Sequence, residues 1–420
     1  RFERMSKKVN SLKKAKNYFL FFFIIGFSSG SFNKAFGLID FVQFIENTTA
    51  TNSNSISTGT FSASTSNLIV CGVVYANTAV SVSSITDTST NTYLKAVGPI
   101  DGVGDMNGWR HEVWYAYNIT GNASLNVTAH FSSTFLASKM VVCHEYSGAL
   151  TSSDPKDVAV SATGTSGNAS VGSITTSQDG ELIYAYGSFT SGYSGEGYLE
   201  RSRIGNDCSE DRMAWKAGTY SASFINGGSG WVGMAVSFKS ASVPSDTNGL
   251  VQRILTHQNT AGNTLSTTFD QSNVAGNLIV VMVYCWSNSQ TLTVSDTKGN
   301  TYHLANSVSQ VTDGHQIWIY YAENILSGTN RVTVTVSGSA STYIGLILAE
   351  YSGIVSSNSF DKSQINTSNV STSLTSGSTT SLSTSSQLLI GYFGMSEGGT
   401  GFSPTSSFEL KGHIKHSIDG

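Results

Sequence analysis

The stretch LTVSDTKGNTYHLA, residues 292–305, decides how the chain is read. Leu292 and Val294 alternate with Thr293 and Ser295, the period of a half-buried strand. Asp296 then opens a turn, because its carboxylate can accept the amide two residues on. Gly299 supplies the positive φ that such a loop needs. The earlier segment SSITDTSTNTYLKA, residues 83–96, repeats the signal: Asp87, Thr88, Asn91, Thr92 and Tyr93 match Asp296, Thr297, Asn300, Thr301 and Tyr302. Thr90 stands where the later copy has Gly299, so its turn must differ or carry strain.

Working outward, other landmarks recur in the same order about 205 residues apart. VQFI at 42–45 matches VQRI at 251–254, SNLIV at 66–70 matches GNLIV at 276–280, and HEVW at 111–114 matches HQIW at 315–318. HEYSG at 144–148 matches AEYSG at 349–353, and GELIYAYGSF at 180–189 parallels SQLLIGYFGM at 386–395. The fold class is therefore all-β: two tandem antiparallel β-sandwich modules, jelly-roll-like, with two small sandwiches per copy as the alternative. Module one spans 38–240, a linker 241–250, and module two 251–420. The second copy stops roughly 25 residues short of the first, without a counterpart of the last strands. A truncated sequence and a sandwich completed by a strand from another subunit both fit. Residues 355–386 are almost pure Ser, Thr and Asn; they and their less extreme counterpart, 150–178, read as a long exposed connection with weak polar strands.

Composition agrees. Of 420 residues 12% are charged, with Gly 42 and Pro 4, a mixture suited to twisted sheets rather than helices. Residues 1–37 hold eight Lys or Arg and one Glu; the rest holds 15 basic and 26 acidic residues. That acidic body has no basic stripe for nucleic acid. The run YFLFFFIIGF, residues 18–27, follows Lys13, Lys14 and Lys16. A basic stretch and a ten-residue apolar core read as an export signal, 1–37, with cleavage expected after Ala35-Phe36-Gly37. A retained anchor is the alternative. Either way the protein is expected outside the cell or on its surface, touching the membrane only through an uncleaved signal segment.

In that oxidising compartment Cys71 and Cys143, in LIVCGVVY and KMVVCHEY, are a candidate disulfide, with two buried thiols as the alternative. Cys208 and Cys285 have no obvious partners, and without a CxxC pair zinc is not expected. Asp87 and Asp296 are weak Ca²⁺ candidates, since one carboxylate and one amide are too few for a cage; no other cofactor is expected. Glu145 and Glu350 follow apolar strands, where a carboxylate must be hydrogen-bonded. Asp157 and Asp361, and His111 and His315, recur in both copies, which favours scaffold roles over a unique active site. No catalytic signature stands in a suitable context, and no enzyme is expected. Tyr193, Tyr198 and Trp215 are candidate glycan contacts by stacking. Sequons stand at Asn47, Asn118, Asn122, Asn126, Asn168, Asn366 and Asn369.

The segments VSDTKGNTY, IWIYYAENI, NRVTVTVSG and AEYSGI, with WVGMAVSFK in the first copy, resemble a repeat of exported prokaryotic surface proteins. The resemblance covers nearly all of 42–420. It implies an extracellular β-sandwich array and supplies no catalytic residues. The expected function is a secreted, non-enzymatic cell-surface or matrix protein used in adhesion. The alternative is a carbohydrate-binding module of a larger extracellular protein. Other surface-protein subunits or extracellular glycans are the expected partners.

Overall fold

The structure is a computed structural model. It describes residues 38–418 except 191, 226–227, 244–248, 259, 288–289, 311–313, 338–341, 368–374, 385–386 and 397–407. Of Asn17–Phe27 and Phe408–Ile418 only the strand pairing is described. The chain is all-β and antiparallel. Among the described residues the one helical element is a 3₁₀ turn, Gly104–Met106, and no sheet closes into a barrel.

The first strand, β1 (Asn17–Phe27), belongs to a sheet with the end of the chain. The next ten strands form sandwich one: β2 (Asp40–Thr49), β3 (Asn52–Ser57), β4 (Phe61–Ala63), β5 (Leu68–Tyr75), β6 (Val82–Asp87), β7 (Leu94–Asp101), β8 (Arg110–Ala116), β9 (Asn122–Leu125), β10 (Val127–Leu136) and β11 (Lys139–Ser147). Its five-stranded sheet runs β2-β11-β5-β8-β7 and faces β3-β10-β6. The chain crosses between the two sheets at most connections, the jelly-roll habit.

Sandwich two repeats this plan with β12 (Lys156–Gly164), β13 (Ala169–Thr175), β14 (Glu181–Phe189), β15 (Leu199–Ile204), β16 (Asp207–Ala214), β17 (Thr219–Phe224) and β18 (Trp231–Phe238). Its sheets are β12-β18-β14-β16-β15 and β13-β17. Sandwich three has β19 (Leu250–His257), β20 (Thr264–Thr268), β21 (Leu278–Cys285), β22 (Leu292–Asp296), β23 (His303–Gln310), β24 (His315–Ala322), β25 (Arg331–Val336) and β26 (Ile344–Tyr351). Its sheets, β19-β26-β21-β24-β23 and β20-β25-β22, reproduce the order of sandwich one strand for strand. The 205-residue copy therefore divides in two, and sandwiches one and two lie back to back through their five-stranded sheets.

That layering explains the unbroken apolar runs. In β5, Ile69, Cys71, Val73 and Tyr75 fill the core of sandwich one. Leu68, Val70 and Val74 face the other way, against Leu182, Tyr184, Tyr186 and Met234 of sandwich two. A strand covered on both faces has no solvent side, so alternation disappears. In β25 only one face is covered: Val332, Val334 and Val336 are buried between more exposed Thr333 and Thr335.

The remaining strands are β27 (Leu388–Ser396) and β28 (Phe408–Ile418). Leu388, Ile390 and Tyr392 pack on the outer face of sandwich three, beside Leu199 and Trp215 of sandwich two. β27 follows sandwich three as β14 follows sandwich one. Residues 355–384 carry no strand among those described, although their counterparts β12 and β13 do. In sandwich two, β12 pairs with β18 and β13 with β17. β1 lies between β27 and β28, antiparallel to both, the place β16 takes between β14 and β15. The run read as the apolar core of an export signal thus pairs here as a strand, a conformation its Phe and Ile content favours.

Candidate functional site

The two Asp-headed turns share one geometry. Asp87 Oδ1 accepts the amides of Ser89 (2.9 Å) and Asn91 (3.0 Å), and Oδ2 accepts Asn91 Nδ2 (2.8 Å) and the Tyr93 hydroxyl (3.0 Å). Asp296 accepts Lys298 and Asn300 amides at 3.0 Å each, Asn300 Nδ2 at 2.7 Å, Tyr302 at 2.8 Å and also Asn330 Nδ2 at 2.9 Å. Burial pushes the Asp296 carboxyl up, but these bonds outweigh it and hold its pKa below the usual value. Thr90 and Gly299 take the same left-handed position, φ 58° and 74°. The turn is therefore conserved between copies, and the strain falls on Thr90. Each carboxylate is already surrounded by donors, an arrangement that presents N–H and O–H groups rather than oxygens to a hard cation. Among the described residues no group of three or more His, Cys, Asp or Glu is gathered as for a metal.

A second polar tie recurs in every sandwich. Glu145, 1% exposed, accepts Ser64 N (2.8 Å), Asn67 Nδ2 (2.6 Å) and Gln43 Nε2 (2.5 Å). Glu350, fully buried, accepts Val274 N (2.8 Å), Asn277 Nδ2 (2.7 Å), Asn273 Nδ2 (2.7 Å) and Gln252 Nε2 (2.6 Å). Each carboxylate joins the first strand, the central strand and the loop before it. In sandwich two the pieces are rearranged. Ser237 stands at the place of Glu145, since Ile183 and Ile69 face them in register. The acids move to Asp157 and Glu181, and Ser177 N donates to both at 3.0 Å. After sandwich three, Asp361 accepts Ser383 N (2.8 Å) and Gln387 Nε2 (2.7 Å), with Gln387 in the place of Glu181. The recurrence of Asp157 and Asp361 was the visible trace of this tie; the partners Glu181, Gln387 and Lys239 were not singled out from the sequence.

Between sandwiches one and two lies a polar seam. His111 Nε2 is 2.7 Å from Ser188 Oγ, whose hydroxyl donates to Asp207. His144 Nε2 is 2.7 Å from Ser209 Oγ, and its Nδ1 is 3.3 Å from the Tyr184 hydroxyl. Burial lowers the pKa of His111 to about 4 and of His144 to about 3, and raises Asp207 to about 7. Both imidazoles are thus neutral bridges between sheets. The Ser–His–Asp order is not that of a nucleophile: Ser188 sits between His111 and Asp207 and gives its proton to the carboxylate. A cavity of about 50 Å³ opens where sandwiches one, two and three meet, lined by Asp40, Tyr146, Arg201, Asp211, Arg212 and Arg253. Asp211 is held by Arg201 Nε (2.7 Å), Arg201 Nη2 (2.9 Å) and the Tyr146 hydroxyl (2.9 Å), and Arg212 pairs with Asp270 of sandwich three. These charges neutralise one another across the joint.

The glycan-contact expectation needs correction at two positions. Tyr198 is 1% and Trp215 2% exposed, under the guanidinium groups of Arg212 (5.3 Å) and Arg253 (5.0 Å). Tyr198 packs in the core of sandwich two and Trp215 between sandwiches two and three, so neither offers a face to a sugar. Tyr193 is 36% exposed and stacks with Arg203. Cys71 and Cys143 form a disulfide between directly opposed residues of β5 and β11. Cys208 and Cys285 are buried free thiols. Among the sequons, Asn47, Asn118, Asn168 and Asn366 are exposed. Asn122 donates to Ser89 Oγ (3.2 Å) and Asn126 to Thr58 O (2.6 Å); Asn369 lies outside the described residues.

No protein-family model matches the chain, and neither a curated protein nor a solved structure matches it.

Proposed function

We propose that the protein is a secreted, non-enzymatic surface or matrix component whose stacked sandwiches act as a load-bearing adhesive stalk. The observation that carries this reading is the use of its polar residues. The carboxylates that recur from copy to copy, Glu145 and Glu350, Asp87 and Asp296, are saturated by strand and turn donors. At the junction, Asp211 accepts the Tyr146 hydroxyl of sandwich one and Arg212 pairs with Asp270 of sandwich three, tying neighbouring sandwiches together. A second ion pair across the same joint, Arg331–Glu196 at 2.6 Å, adds to this. The Cys71–Cys143 disulfide suits an oxidising compartment.

The test is adhesion of beads coated with the full chain to host-cell or conspecific surfaces, with single-molecule pulling as a second readout. Adhesion that survives loss of Tyr193 supports the reading. Turnover of any glycan or peptide by the purified chain would sink it. Of the three aromatic candidates, Tyr193 keeps an exposed face for the carbohydrate-binding alternative, and a glycan array with Tyr193→Ala tests it.

A further inference from the structure

Sandwich two holds an arrangement that strand tying does not use up. Lys239 Nζ lies 3.0 Å from Asp157 Oδ1. Glu181, fully buried, hydrogen-bonds the same Asp157 carboxyl, and Ser177 N donates to Asp157 Oδ2 at 3.0 Å. The Lys239 and Asp157 side chains are 28% and 14% exposed, partly withdrawn from water. We propose that Lys239 and Asp157 condense into an intramolecular isopeptide bond, with Glu181 relaying the proton.

The step balances. In the ion pair one ammonium proton passes to the Asp157 carboxylate, leaving an amine beside a carboxylic acid. Lys239 Nζ attacks Cγ of Asp157; a C–N bond forms and a C–O bond breaks. The departing oxygen leaves as water with two of the three ammonium hydrogens. Glu181 donates to the leaving oxygen and is reprotonated from the amine, so it ends unchanged. Burial raises the Glu181 carboxyl, and its hydrogen bond to the Asp157 carboxyl places one shared proton between the two acids. Proximity supplies the drive: groups held in contact react as though highly concentrated. The Ser177 amide is placed to hold the other Asp157 oxygen as charge develops on it.

Position gives the bond a purpose. Asp157 lies at the start of the first strand of sandwich two and Lys239 directly follows the last. The Lys239 amide already donates to Pro155 O (2.7 Å), and its carbonyl accepts Leu150 N (2.9 Å). A covalent link there joins the points where the chain enters and leaves, so tension would bypass the sandwich. Sandwich one has its disulfide; the cysteine of sandwich two, Cys208, is free and buried. The inference rests on this geometry alone and stands or falls separately from the adhesive reading.

The test is a peptide map of the full chain, purified from a host that does not glycosylate, reduced and denatured before digestion. The expected result is a branched peptide joining the Asp157 and Lys239 fragments, lighter than their sum by one water. It should be absent from Lys239→Arg and Glu181→Gln. The Glu181→Gln chain is expected to fold, because Gln387 fills the same place beside Asp361. Its sandwich-two transition should melt below that of the parent. Unlinked fragments from the parent chain after prolonged incubation at neutral pH would overturn the proposal. A full yield of branched peptide from Glu181→Gln would overturn the role of Glu181.

Discussion

Sandwiches one and three have the same strand order, the same Asp-headed turn and the same buried glutamate, yet they are stapled differently. In sandwich one Cys71 and Cys143 face each other across β5 and β11 and are bonded. In sandwich three the facing pair at that place is Val281 and Leu348, both fully buried. The fold therefore does not need the disulfide. A close-packed apolar pair fills the same space, and the bond adds a constraint on the unfolded chain. What both sandwiches keep is the buried carboxylate, because a loop and two strands depend on it.

That comparison orders the expected effects. The largest is at the carboxylates. Glu350→Ala removes the acceptor of four donors, of which Gln252 Nε2 alone keeps another bond, to Gln271 O, which costs at least about 3 kcal/mol. Glu145→Ala should cost nearly as much. Calorimetry of the full chain should show the affected sandwich melting early; equal melting of parent and variant would break the equivalence. Next is the disulfide, which closes a loop of sequence separation 72. Reducing it should lower the stability of sandwich one by about 2–4 kcal/mol and leave sandwich three unmoved. Replacing the pair as Cys71→Val with Cys143→Leu should recover part of that loss, since sandwich three houses this pair at the same place.

Smaller effects come from the turns. Asp296→Asn should cost about 1–3 kcal/mol, more than Asp87→Asn, because Asp296 has the further donor Asn330. The pKa of Asp296 is lowered in the fold. Its contribution is thus fully present above its usual value of 3.8 and is lost as pH falls through the lower folded value. Acid melts of parent and Asp296→Asn should converge at low pH. The smallest effect distinguishes the turns directly. Thr90→Gly should stabilise by about 1 kcal/mol by relieving the left-handed position, and Gly299→Thr should destabilise by a similar amount. A neutral Thr90→Gly, read from the same calorimetric transition, would mean that Thr90 Oγ1, 2.7 Å from Ser89 O, offsets the strain.

Much of this architecture was legible along the chain. The period-two alternation of LTVSD and VTVTV places one face inside, and collinear landmarks announce the duplication. The candidate site was less legible. Asp87, Asp296, Glu145 and Glu350 stand out because they recur, and Cys71 with Cys143 because both sit in apolar strands. Trp215 and Tyr198 misled, since a sequence shows an aromatic ring but not the guanidinium that covers it. Lys239 and Glu181 gave no signal at all: they are 58 residues apart, and only strand pairing brings them to one carboxylate.

The sequence by itself determined the all-β class, the repeat, the turn chemistry and the strands that carry apolar side chains on both faces. Those follow from local periodicity and from what Asp, Gly and β-branched residues do to the backbone nearby. Tertiary structure alone decided that the first copy is two sandwiches back to back. It also decided which polar groups meet and which segments become strands. Strand pairing joins residues far apart: β12 is held by β18, some 70 residues on, whereas Asp361 and its described neighbours, although they match β12 in sequence, carry no strand.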